Sequence, residues 1–146
     1  PADIKVKHQC GKGKQRTTEL AYGDLAHDVE IHEFIQNMAT VYQWADVCIC
    51  RAGALTIAEI STVGIPTLFV PYPHAVDDHQ THNAMSLVNK NAAYIWQEND
   101  SADAFKVQFK NLLEENNRDA IKQALQAIKK DHVSHTIARH CEEVVQ

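Results

Sequence analysis

Two stretches hold most of the residues whose types and spacing could do chemistry. In the first, Arg51-Ala52-Gly53-Ala54-Leu55-Thr56-Ile57-Ala58-Glu59, small residues follow an apolar run and open a helical pattern. Backbone amides at such a helix N-terminus can approach an anion, and the helix dipole favours one, a diphosphate for example. Glu59 falls on the first turn or two of that helix, and two readings of it stand. Its carboxylate can accept hydrogen bonds from the vicinal hydroxyls of a ribose, or it complements the helix dipole from a solvated position. The second stretch, from Pro71 to Asn83, crowds His74, Asp77, Asp78, His79, Gln80, His82 and Asn83 into one loop and helix start. Gln80 and Asn83, three apart on a helix, face the same way and offer both donors and acceptors to sugar hydroxyls, which themselves do both.

Other arrangements point to less. His79 and His82 with Asp77 or Asp78 resemble part of a metal set, but the further ligand pair and diagnostic zinc spacing are missing. Gly11-Lys12-Gly13 is too short for a Walker loop, so no ATPase activity follows from it. There is no Gly-x-Ser-x-Gly elbow, and Cys10 with His8 is a same-strand pair rather than an activated dyad. Cys48 and Cys50 alternate along a strand and share a face; buried small hydrophobes are favoured over a metal pair. His132, His135, His140 and Cys141 fall in a helical tail, where exposed or capping roles are the default.

The elements that must position these residues alternate. Ile4 to Cys10 has the period of a strand and stops at a glycine turn; Lys14 to Tyr22 reads as helix, Val29 to Ile35 as strand and Asn37 to Trp44 as helix. Val47 to Cys50 is apolar on both faces, as a strand covered on both sides should be. Leu55 to Val63 is helical, with Gly64 placed to stop it and Pro66 resetting the chain before the strand Thr67 to Pro71. A helix near Asn83 to Asn89 and a short strand Ala93 to Trp96 follow. Beyond Ser101, a plausible N-cap, three helices are expected: Ala104 to Leu113, Arg118 to Lys129 and His135 to Val145. Repeated βα units force parallel strands, so the class is α/β, a Rossmann-like doubly wound sheet, whose ligands bind beyond the carboxyl ends of the strands.

With 146 residues, 45% of them hydrophobic, one domain spanning 1–146 is expected, with a helical tail from about 101. A formal net charge of -5 offers no positive field for nucleic acid. The longest apolar run, about eight residues around Ile65 to Pro73, is far short of the ~20 that cross a bilayer. The start has neither an initiating Met nor a signal pattern and reads as an excision point, and the four cysteines lack the spacing of a disulfide framework, so a cytosolic fragment with reduced thiols is expected.

Taken together, His8-Gln9-Cys10-Gly11-Lys12-Gly13, Phe34-Ile35, Ala45-Asp46 through Glu59, Gly64-Ile65-Pro66 and Asp78-His79-Gln80-Thr81-His82-Asn83-Ala84 resemble the MurG family in order and spacing over nearly the whole chain. The resemblance implies the C-terminal domain of a two-domain GT-B glycosyltransferase. Such an enzyme moves N-acetylglucosamine from its UDP carrier to an undecaprenyl-diphosphate-linked muramoyl-pentapeptide, on the cytoplasmic face of the bacterial inner membrane. It further implies that the backbone of Ile35, beside Phe34, pairs with uracil and that Met38 lies near the nucleotide. Gly53, Ala54, Leu55, Thr56, Ile57, Ala58 and Glu59 would surround the diphosphate and ribose, with Glu59 on the ribose hydroxyls, while His79, Gln80 and Asn83 sit at the sugar end. No cofactor or metal is implied, UDP-N-acetylglucosamine being a substrate. The implied partners are that donor, an N-terminal acceptor domain and, through it, the lipid-linked acceptor.

The chain departs from the family pattern in places. Ala52 stands where many relatives have Ser, Cys10 where Ser or Thr is usual, and the loop before His79 is about one residue longer than in some relatives. The family's Gly-Gly-Ser-x-Gly-Ala phosphate loop and its strand belong before Pro1. The acceptor domain, with the proposed base, is not in the sequence, so no catalytic residue is expected here and the fragment alone is expected to be inactive. In the 3-2-1-4-5-6 order the absent strand lies between the Ile4 strand and the Val47 strand. Direct pairing of those two strands, or a strand borrowed from another chain, is therefore expected to close the gap. Two rivals are a different UDP-sugar GT-B transferase, whose counterpart loop usually reads Ser-His-Ala-Gly, and a non-catalytic nucleotide-binding module.

Overall fold

The computed structural model describes the backbone of residues 4–74 and 76–144, and the side chains of these up to 129 except at 76; the tail residues His132, His135, His140 and Cys141 thus lie outside the described side chains. The chain divides into two compact units, 1–44 and 45–146. The first contains β1 (Val6–Gln9), α1 (Gln15–Tyr22), a 3-10 segment over Gly23–Asp28, β2 (Val29–His32) and α2 (Met38–Trp44). β1 and β2 are parallel, with Val6 opposite Val29 and Gln9 opposite His32. Lys7 lies opposite Glu30, and the pair forms an ion pair at 3.1 Å while the Lys7 ammonium also sits 4.8 Å above the Trp44 ring. α1 buries none of its residues, and Leu20 and Leu25 remain largely exposed.

The second unit contains β3 (Cys48–Cys50), α3 (Ala54–Val63), β4 (Thr67–Phe69), a 3-10 turn over Val76–Asp78, α4 (His79–Val88), β5 (Tyr94–Ile95), α5 (Ala102–Leu113) and α6 (Glu115–Val144). Its three strands are parallel in the order β3-β4-β5. The central strand β4 is buried throughout, as a strand covered on both faces should be. Leu68 and Phe69 pack in a core with Ile60, Leu112, Leu125 and Thr67, whose hydroxyl is satisfied by the Ile65 carbonyl at 2.9 Å. α6 packs on α3 and α5, and Lys129 reaches back to the Thr62 carbonyl near the end of α3. Gly64 ends α3 at φ 82°, a left-handed conformation that costs a glycine nothing. The Ser101 hydroxyl caps α5 by accepting from the Ala104 amide at 3.1 Å.

Three expectations are corrected. α4 begins at His79 rather than near Asn83, because the polar residues His79 to His82 are compatible with a helix even though they carry no apolar stripe. The two expected tail helices are one, α6, since no Gly or Pro interrupts 115–144. β1 and β3 do not pair: the described strands form a two-stranded and a three-stranded sheet. In a doubly wound order each of these strands neighbours an intervening strand rather than the other. Among the described residues β3 pairs along one edge, with β4, and Ile49, expected to be covered, is 45% exposed.

Candidate functional site

In the second unit, the turn from β3 into α3 is built on Ala52, which is wholly buried. Its N–H donates to Gln80 Oε1 at 3.3 Å and its carbonyl accepts from Asn83 Nδ2 at 3.1 Å. Gln80 Oε1 also accepts from the Tyr72 N–H at 3.0 Å. Both residues expected to address a sugar are thus struts that fasten α4 to the β3 and β4 loops. These bonds use the oxygen of Gln80 and the nitrogen of Asn83, so the opposite end of each amide is not spent in them. This is how the loop after β3, the loop after β4 and the start of α4 are brought to one place.

α3 then starts from Gly53, an extended N-cap with no side chain to satisfy the first helical amides. A Cβ at Gly53 would make only an ordinary contact, 3.7 Å from Thr56 Oγ1, so packing within the chain does not demand glycine there. The amides of Ala54, Leu55 and Thr56 precede the first helical bond, from the Ile57 N–H to the Gly53 carbonyl at 2.9 Å. Leu55 is 81% exposed at this mouth. Glu59 is exposed and lies on the second turn of α3, beyond the first turn in which a carboxylate complements the dipole most strongly. Its charge bears on the Cys50 thiol of β3. A side-chain hydrogen bond with Cys48, then burial, then the charges of Cys48 and Glu59 hold the Cys50 thiol far above the usual thiol range. Cys48 and Cys50 therefore do share a face: their mutual hydrogen bond lowers the Cys48 thiol against its burial and keeps the Cys50 thiol protonated at neutral pH.

Pattern reading gave Arg51 no role of its own. Its guanidinium donates to the carbonyls of Val70 (3.2 Å) and Pro71 (3.0 Å), forms an ion pair with Glu98, and lies 5.5 Å from the Tyr72 ring centroid. One planar, multi-donor group thus ties the carboxyl ends of β3 and β4 to the segment after β5, a task suited to Arg rather than Lys. The available signal was a permanent charge directly after an apolar strand. Before α4, Asp77 and Asp78 both have positive φ, 52° and 50°, and the Thr81 hydroxyl donates to Asp78 Oδ1 at 2.6 Å. His79 is exposed at the first turn of α4, and His82 Nδ1 lies 3.0 Å from the Asp78 carbonyl. Among the described residues no three His, Cys, Asp or Glu side chains are grouped to hold a metal ion.

In the first unit the expected base contacts lie just past β2. Phe34 is 72% exposed, Ile35 is half-buried, and Met38 opens α2, whose first turn is supported by Asn37 Oδ1 accepting from the Thr40 amide at 3.1 Å. The Ile35 N–H donates to Gln9 Oε1 at 2.8 Å. The β1–α1 turn needs its glycines, with Gly11 at φ 91° and Gly13 at φ 73°. Its Gly13 N–H is taken by the Glu33 carboxylate at 2.7 Å. His8 bonds the Tyr22 hydroxyl and Cys10 the His32 carbonyl, so these two are separately engaged. Surface hollows of about 350 and 540 Å³ in this unit are lined by α1, β2 and their neighbours, away from Phe34, Ile35 and Met38.

Parallel strands and interleaved helices, with loops past the strands' carboxyl ends, define a Rossmann-like α/β domain. A structural likeness agrees: MurG of Acinetobacter baumannii, 37% identical, superposes with a TM-score of 0.76 over 84% of this chain and 38% of that one. The kitacinnamycin glycotransferase, 22% identical, shares the fold with a TM-score of 0.67 over 90% of this chain and 31% of its own. The family model described as the glycosyltransferase family 28 C-terminal domain matches residues 2–137, and the chain belongs to that family. Curated relatives named UDP-N-acetylglucosamine--N-acetylmuramyl-(pentapeptide) pyrophosphoryl-undecaprenol N-acetylglucosamine transferase are similar over most of the chain. That of Pseudoalteromonas atlantica is 50% identical over 101 residues, 67% of this chain and 26% of the relative. That of Aeromonas hydrophila is 52% identical over 90 residues, 62% of this chain and 25% of the relative. The chain therefore spans about a quarter of the length of these relatives.

Proposed function

We propose that this chain is the donor-binding part of a hexosyltransferase that moves N-acetylglucosamine from UDP-N-acetylglucosamine to an undecaprenyl-diphosphate-linked muramoyl-pentapeptide in peptidoglycan synthesis. The observation that carries this reading is the fastening of Gln80 and Asn83 to the backbone of Ala52. It sets the sugar-type amides beside the amide-rich start of α3, as one donor spanning diphosphate and hexose requires. In this reading the α3 amides from Ala54 onward face the diphosphate, Glu59 takes the ribose hydroxyls, and the outward ends of Gln80 and Asn83, with His79, meet the sugar. Ile35, flanked by Phe34 and Met38, takes the uracil through its backbone. The catalytic base and lipid acceptor belong to an N-terminal domain, and the chemistry needs no cofactor beyond the donor.

No helix among the described residues is long and apolar enough to cross a membrane. The similarity to the MurG family, rather than that absence, supports a parent enzyme peripheral on the cytoplasmic face and docking through its other domain. Calorimetry of the chain against UDP, with Glu59→Ala alongside, tests the reading. Weak saturable binding that falls severalfold in the variant is expected, and no transfer to a lipid acceptor. Equal heats from both proteins would remove Glu59 from the ribose.

A further inference from the structure

The Ile35 amide that a base would use is already occupied. Gln9, the last residue of β1, is exposed, and it reaches past β2 to accept this N–H at 2.8 Å. That bond is not what holds the segment. The Cys10 N–H donates to the His32 carbonyl at 2.8 Å, the Gly11 N–H to the Glu33 carbonyl at 3.1 Å and the Gly13 N–H to the Glu33 carboxylate at 2.7 Å. Three bonds thus fasten residues 32 and 33 to the β1–α1 turn without Gln9. Nor does burial demand it, since the bond is exposed to solvent and water would serve. A carboxamide presents a carbonyl acceptor beside an N–H donor, the same pair that uracil presents along its O4–N3 edge.

Resting on the reading of Ile35 as the base contact, we propose that Gln9 is an internal place-holder for the 4-carbonyl of the base. Its carboxamide caps the Ile35 amide in the empty domain and swings off when a pyrimidine 4-carbonyl takes over that hydrogen bond. Gln9 is thereby a positioning residue that tunes donor affinity, and the amide it guards accepts a base with a 4-oxo group and rejects one with a 4-amino group. No bond is made or broken in the exchange beyond these hydrogen bonds.

The test compares the chain with Gln9→Met, which keeps the length of the side chain and removes the acceptor. UDP affinity is expected to rise roughly two- to tenfold, the range one neutral hydrogen bond commands. CDP, which offers an amine at that position, stays weak with both proteins. In the wild-type chain, amide NMR is expected to show the Gln9 side-chain resonances moving together with the Ile35 N–H as UDP is added. UDP affinity equal to or below wild type in a folded Gln9→Met, or Gln9 resonances unmoved at saturation, overturns the place-holder while leaving the base contact standing. UDP that binds neither protein overturns the base reading and the place-holder together.

Discussion

Replacing Gln80 with alanine removes the single oxygen that accepts from both the Ala52 and the Tyr72 amides. The two losses differ. Tyr72 lies at an exposed position where water can take its N–H, so that bond is nearly neutral to lose. Ala52 is wholly buried and has no such recourse. A buried amide left unsatisfied costs about 1–3 kcal/mol, and about 2 kcal/mol is expected in all. With urea m-values of about 1–3 kcal/mol/M for small proteins, the unfolding midpoint should fall by roughly 1 M, read by far-UV circular dichroism. Gln80→Glu keeps an acceptor at the same place but loses the outward NH2 donor. Its midpoint should stay within about 0.3 M of wild type, while affinity for UDP-N-acetylglucosamine falls and affinity for UDP does not. An unchanged midpoint in the alanine variant, or equal destabilisation by Glu and Ala, would refute the strut.

Arg51→Lys retains charge but cannot serve the Val70 and Pro71 carbonyls and Glu98 from one planar group. It should lower the urea midpoint measurably and weaken UDP-N-acetylglucosamine binding severalfold, with Arg51→Ala no better. Ser101→Ala removes the cap of α5 and should cost about 1 kcal/mol in the same urea assay. Cys50, held protonated by Cys48, burial and Glu59, should resist alkylation at pH 8 far longer than Cys10, as mass spectrometry of iodoacetamide-treated protein would report. The sign for stability follows: the unfolded thiol loses its proton first, so Cys50 leaves stability unaltered at neutral pH and lowers it as pH rises past the ordinary thiol range.

Much of the fold was legible because local and global signals agreed. Gly64 and Pro66 bracketed the end of α3 and the start of β4, and Ser101 marked the start of α5. The misses have separate physical causes. α4 starts on polar residues without an apolar stripe, so periodicity alone placed its beginning four residues late. β1 and β3 are edges of different sheets, and strand pairing is a non-local property that no window of residues reports. For the site, helical spacing alone put Gln80 and Asn83 on one side of α4, but could not say that each would spend one end on Ala52. Arg51 escaped because its partners, Val70, Pro71 and Glu98, lie 19 to 47 positions away. The hydrogen bond from Ile35 to Gln9, 26 positions back, was hidden for the same reason.

The central claim is the proposal that the loops Ala54–Glu59 and Gln80–Asn83 of the second unit serve one nucleotide-sugar donor. Titrating the isotopically labelled chain with UDP-N-acetylglucosamine and following its amide resonances tests this directly. Saturable shifts are expected at the backbone of Ala54 to Glu59 and in the side-chain amides of Gln80 and Asn83, with UDP alone reproducing all but the last two. No saturable change at millimolar donor, or changes confined to the hollows beside α1, would contradict it.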